Sequence, residues 1–180
     1  MTARAILSGL LLSLLFGCGG GGSNNSVNGT VRGKSMQAVD AIAGTGAGAA
    51  IALSSTGGIC GKVSAGQQPK STQFLIFILQ DVAGQQASAP TAPGTYPITQ
   101  SGAKQAGAVY IQTDANCQNV VGSPVTAISG TVTLTSVSNG SYSGNFDLTL
   151  DSNDHISGSF SAANCPGLVT FLTLMTTTCV

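Results

Sequence analysis

Residues Tyr142–Leu150 alternate apolar and polar side chains without a break. Tyr142, Gly144, Phe146, Leu148 and Leu150 fall on one face, and Ser143, Asn145, Asp147 and Thr149 on the other. A side-chain period of two belongs to an extended strand with one face buried and one wet, the habit of antiparallel sheets. Asn139-Gly140 separates this run from a second alternating run, Ala127–Val137. That dipeptide suits a two-residue hairpin of type I′, in which both central residues need positive φ. Asp151-Ser152-Asn153-Asp154 supplies the next turn, since Asx side chains bond their own backbone. The core of the chain is therefore committed to antiparallel pairing.

The same rhythm of short apolar runs and Gly, Asn, Ser or Pro breaks covers the rest of the sequence. It predicts strands over Val27–Lys34, Met36–Ala43, Ala49–Ser55, Thr72–Leu79, Gly94–Thr99, Ala106–Thr113, Ala127–Val137, Ser141–Leu150, His155–Ala162 and Leu168–Thr177. The expected fold is all-β: an antiparallel up-and-down meander of about 8–10 short strands. One short motif recurs: apolar, polar, Gly, polar, apolar. It occurs at Val27–Val31, Ile128–Val132, Tyr142–Phe146 and Ile156–Phe160. In a strand, that glycine shares the face of its two apolar neighbours. A core-facing glycine leaves room for a large neighbour or a sharp bend. A band of them predicts curvature, into a barrel or a tight sandwich.

Phe74–Leu79 is one uninterrupted apolar strand, expected to be buried on both faces or to cover a core edge. The alternative is the lining of an apolar pocket; core is the first assignment, because every domain needs one and pockets are few. Charge is sparse: six basic residues, and six acidic ones that are all Asp. A near-neutral surface excludes nucleic acid, which demands a basic stripe. It also excludes a polybasic membrane patch.

The N-terminus carries a different signal. Arg4 precedes an apolar run, Ile6–Phe16, that ends in Leu15-Phe16-Gly17-Cys18. A basic start, a short apolar stretch and a small residue before a cut are the marks of an export signal. The run is shorter than the ~20 residues that a membrane-spanning helix needs. Leu at −3, Gly at −1 and Cys at +1 resemble the lipobox of bacterial lipoproteins. The resemblance implies cleavage before Cys18 and acylation of that cysteine, palmitate included. Gly19 at +2 is not the Asp that retains such proteins in the inner membrane, so the resemblance implies an outer-membrane, lipid-anchored protein. Residues 1–17 are then a signal peptide, 18–26 a lipidated Cys with a flexible Gly/Ser/Asn tether, and 27–180 a single β domain of about 150 residues.

With Cys18 assigned to lipid, four of the five cysteines remain: Cys60, Cys117, Cys165 and Cys179. An even number in an exported chain reads as a disulfide framework. In a meander, neighbouring strands alternate direction. Counting ten strands places Cys60 and Cys165 at one end, Cys117 and Cys179 at the other. The parity predicts Cys60–Cys165 and Cys117–Cys179.

No chemistry is assigned. The one His, His155, sits beside the Asp151–Asp154 turn, and no Gly-x-Ser-x-Gly elbow precedes a helix. Asp147, Asp151, Asn153 and Asp154 offer oxygen ligands, but not at the spacing of a calcium loop. No cysteine pair has zinc-knuckle spacing. No catalytic residue, metal or cofactor is expected. The runs Ile128–Val137, Tyr142–Leu150 and Ile156–Phe160 with Cys165 also resemble a pattern in uncharacterised Gly/Ser-rich envelope lipoproteins, which implies a β meander and export. The expected function is a non-catalytic structural or interaction module at the cell envelope, with an unidentified envelope partner. Two alternatives stand beside it. One is a lipocalin-like carrier enclosing a small apolar ligand; the other is a hydrolase built on His155.

Overall fold

The computed structural model describes residues 24–120, 124–174 and 176–180. The signal segment, Cys18 and the tether up to residue 23 lie outside them. Twelve strands and two short helices are found there: β1 Ser26–Gly29, β2 Asp40–Thr45, β3 Ala49–Ser54, α1 Ile59–Ser64, β4 Gln67–Gln68, β5 Gln73–Ala83, β6 Gln86–Ser88, β7 Gly94–Pro97, β8 Lys104–Gln112, β9 Val125–Ser138, β10 Ser141–Leu150, β11 His155–Asn164, α2 Gly167–Thr173 and β12 Thr178–Cys179.

Seven of the strands close a barrel in the order β2-β3-β5-β8-β9-β10-β11 and back to β2. Each step of the meander is antiparallel, and the closing pair is parallel, Ala163 opposite Ile42 and Asn164 opposite Ala43. That follows from the count: an odd number of alternating strands must end beside a strand of its own direction. The barrel choice, left open by sequence, is thus settled in favour of closure, which removes the free edges of the sheet.

The hairpins centred on β10 form as the sequence predicts. Asn139 and Gly140 take φ of 49° and 77°. On β10 the five predicted inward residues are all buried. The glycine band has the expected packing role. Gly144 pairs with Phe160 across β10–β11, and Phe146 with Gly158. A Cβ on Gly144 would stand 3.0 Å from the Phe160 ring, and one on Gly158 would stand 2.8 Å from the Phe146 ring. Each glycine leaves room for its aromatic partner, and closer still for a neighbouring strand's backbone, the Thr133 carbonyl at Gly144 and the Ser26 carbonyl at Gly158. On β9 the motif behaves differently. The register with β10 shifts on passing Ile128, a bulge that turns this side chain outward, 58% exposed.

Inside the barrel, Phe77 packs its ring 5.1 Å from Phe146 and 5.7 Å from Phe160, centroid to centroid. Ile51, Leu53, Leu75, Leu134 and Leu148 fill the space around them. The apolar run of β5 is buried on both faces over Phe74–Phe77 because a second core lies outside it. Leu75, Phe77 and Leu79 point inward. Phe74 and Ile76 point outward, with Ile42, Ala50 and Ala52, against α1 and α2.

Several expected boundaries are corrected. Leu168–Thr177 is not a strand: α2 occupies most of it, and extended pairing returns only at Thr178–Cys179, beside β4. The apolar residues there recur at Leu168, Phe171 and Leu172, a helical spacing, although the Val169, Thr170, Phe171 and Thr173 among them favour strands. Residues 36–39 belong to no strand, although Met36 and Ala38 are buried and the Val39 amide donates to the Ser54 carbonyl at 2.8 Å; β2 begins at Asp40. Val27–Lys34 is strand only to Gly29, after which Val31 and Lys34 close a tight turn. The end of the tether is bound: the Asn24 carbonyl accepts from Ser159 Oγ at 2.9 Å, and Asn25 Oδ1 from the Ser161 amide at 2.8 Å.

Both disulfides join the expected partners, Cys60 to Cys165 with Cα atoms 5.7 Å apart and Cys117 to Cys179 at 5.8 Å. The parity behind that expectation does not hold. Predicted strand Gly94–Thr99 is β7, which pairs with β9 and does not stand between β5 and β8. β3 and β8 therefore run in the same direction, and Cys60 and Cys117 follow them at the same end of the barrel. What brings the partners together is the outer layer: Cys165 leads into α2 beside α1, and Cys179 lies on β12, next to the β4 residue Gln68 that bonds the Cys117 carbonyl.

Candidate functional site

Most polar side chains of the barrel resolve into small, locally satisfied groups; the buried Gln112 Oε1 has no hydrogen-bond partner among the described residues. At one end, Tyr96 donates its hydroxyl to Asp81 at 3.0 Å, and Lys104 Nζ donates to Asp81 at 2.9 Å and to the Tyr96 oxygen at 3.0 Å. Burial, the largest cause, raises the Tyr96 pKa; the Tyr96 hydrogen bond, ahead of Asp81, raises that of Lys104. Near the same end, Tyr142 donates to the Pro90 carbonyl at 3.3 Å. At the opposite end, Gln73 Nε2 donates to the Tyr110 oxygen at 2.8 Å. These contacts cap the apolar interior.

His155 Nε2 lies 2.9 Å from Asp147 Oδ1, and both side chains are more than half exposed on the outer face. Asp154 accepts from the Ser152 hydroxyl at 2.6 Å and from the Arg32 amide at 2.7 Å. The Ser152 bond, then the Arg32 amide, holds its carboxyl below the ordinary range. Of the four residues weighed as calcium ligands, Asp147 and Asp154 are thus held by separate partners. Among the described residues, no three His, Cys, Asp or Glu side chains converge as a metal site would require. None of the described helices is long and apolar enough to cross a membrane.

The concave feature of most chemical interest lies outside the barrel. A cleft of about 310 Å³ opens between the sheet and the helical cap. Its floor is the outward row of four strands: Ile42, Ala52, Phe74, Ile76 and Ile111. Its walls are Ile59 and Val63 of α1, and Leu168, Phe171 and Leu172 of α2. Gln68, Thr113 and Thr177 close one end, and Leu174 stands with Leu172 at the rim. The walls are held close by small residues and by sulfur. A Cβ on Gly167 would come within 2.8 Å of the Ser64 Cα, so α2 begins in backbone contact with α1. Cys60–Cys165 crosslinks the two at that point. Cys117–Cys179 fixes the chain that follows α2.

No protein-family model matches this chain, and no significant match is found among curated proteins or solved structures. The site must be read from its own residues.

Sequence reasoning placed the four disulfide cysteines, and took Phe74–Leu79 as core first and as the lining of an apolar pocket second; Phe74 and Ile76 serve as both, but the rest of the cleft was not foreseen. The missing element was α1, a helix of six residues whose sole periodic signal is Ile59 and Val63, four apart. The Gly57-Gly58 pair before it reads as an ordinary turn.

Proposed function

We propose that this protein is a lipid-anchored, non-catalytic module of the bacterial envelope. It is exported by residues 1–17, held to the outer membrane through acylated Cys18, and presents a closed barrel to a partner. The observation that favours an interaction module over a carrier is the packed interior. The volume that a lipocalin-like carrier would leave for its ligand is occupied by Phe77, packed against Phe146 and Phe160. The hydrolase alternative draws little support from a histidine whose side chain is 58% exposed on an outer face and bonded to one aspartate. The lipobox-like Leu15–Cys18 carries the anchor, and four cysteines paired in two disulfides suit an oxidising compartment.

Fractionation tests the reading. The full chain, expressed in a bacterium that processes lipoproteins, should partition with detergent and yield an N-terminal peptide that starts at an acylated Cys18. Cys18→Ser should leave the membrane fraction with its disulfides intact. His155→Ala should stay within about ±0.5 kcal/mol of the parent in stability, as exposed substitutions do. An uncut, unacylated Cys18 in a soluble chain would overturn the anchor.

A further inference from the structure

We infer that the cleft under the helical cap is a binding site for one aliphatic chain of a free, single-chain amphiphile, with its headgroup left in water. Its volume, about 310 Å³, lies at the small end of the range for small-molecule pockets. It is enclosed by sheet on one side and a helix on each flank, a shape that admits a narrow ligand and not the flat surface of a second protein.

The ligand class follows from the lining. None of the fourteen described residues that line it carries a charge. The polar groups at the closed end already have partners. Gln68 Nε2 donates to the Cys117 carbonyl at 3.3 Å, and its Oε1 accepts from Thr177 at 2.9 Å. Thr113 Oγ1 donates to the Pro69 carbonyl at 3.1 Å and accepts from the Thr72 amide at the same distance. A ligand that brought a polar group inside would lose its water contacts without replacement, at a cost that apolar contact does not recover. Hydrocarbon meets no such penalty. The outer row of β5 also continues past the cleft. Ile78 follows Ile76 and is 41% exposed. It lines a second hollow of about 230 Å³ on the other flank of α2, and Leu172 borders both hollows. Phe74, Ile76 and Ile78 thus form a line of apolar side chains spaced roughly 6.7 Å apart. A line of that kind suits an extended chain better than a compact ring.

The mouth is framed by Leu172 and Leu174, 39% and 43% exposed. Two neighbouring leucines half in water at the rim of an apolar hollow are what a hydrocarbon chain would cover.

The test uses the full chain carrying Cys18→Ser, which removes the acyl group proposed at that position as a competing source of hydrocarbon. Nile red is titrated into the protein and displaced by n-alkanols of increasing length. Displacement should be saturable, with one alkanol per chain. Affinity should rise about fourfold per added methylene until the cleft is filled, then level off. Ala52→Phe, which fills the floor, and Leu172→Asp, which charges the mouth, should each weaken binding about tenfold or more. Ile128→Asp removes a more exposed apolar side chain on β9, away from the cleft, and should leave affinity unchanged. Both disulfides and the strand signature in circular dichroism are checked in every variant. If Ala52→Phe does not fold, Leu172→Asp decides alone. Absence of saturable displacement, full affinity in a folded cleft variant, or equal weakening by Ile128→Asp would overturn the site. Because the protein tested lacks Cys18, none of these outcomes bears on the anchor.

Discussion

Tyr96, Tyr110 and Tyr142 cap the interior, and burial raises the pKa of each. Lys104, bonded to Tyr96, is raised as well. A raised pKa means that the fold binds the proton more tightly than the unfolded chain. The stability these groups contribute is complete below the ordinary tyrosine value of 10.0 and is lost as pH climbs through the raised values. The melting temperature should therefore hold from neutral pH to about pH 10 and fall beyond it. Tyrosinate absorbance should develop along with unfolding, because the phenol groups ionise once burial ends. A free, reversible titration of all three tyrosines near 10.0, with no change in melting, would show that they are not buried.

Among the elements, the C-terminal hairpins were legible and the outer cap was not. Tyr142–Leu150 declares its burial residue by residue, and Asn139-Gly140 declares its turn, because both signals are local. The helices are too short to show a period: α1 makes under two turns, and in α2 two Leu are interleaved with Val, Thr and Phe, residues that favour strands. They are helical because they pack on Ile42, Ala52 and Phe74 and are crosslinked there, which is tertiary information. The disulfide partners came out right from a strand count in which β7 was misplaced, so the agreement does not validate that count. The Phe74–Leu79 run hinted at a second covered face, but nothing in it said that the cover leaves a cleft. This division has a measurable consequence. Replacing Cys117 and Cys179 with Ala should cost about 2–4 kcal/mol, mainly by freeing the unfolded chain. The loss should be local: native-state hydrogen exchange should quicken in α2 and β12 while β9, β10 and β11 keep their protection. Uniform loss of protection across the barrel would mean that cap and barrel unfold as one unit.

The whole molecule is a barrel with its core inside and its accessible apolar surface outside. A carrier would keep the interior for its ligand; here that space holds three phenylalanine rings, and the hollow stands between sheet and cap. This arrangement favours action through the exterior over carriage inside the barrel. The substitution that separates the two designs is Phe77→Ala. Phe77 is fully buried at the middle of the aromatic cluster. If the interior is a packed core, chemical denaturation should show a loss of about 3–5 kcal/mol, since the ring's contacts vanish and the site collapses only in part. If the interior is a ligand chamber, the same substitution should cost under about 1 kcal/mol. The variant would also take up apolar ligand inside the barrel, and that pair of results would contradict the account.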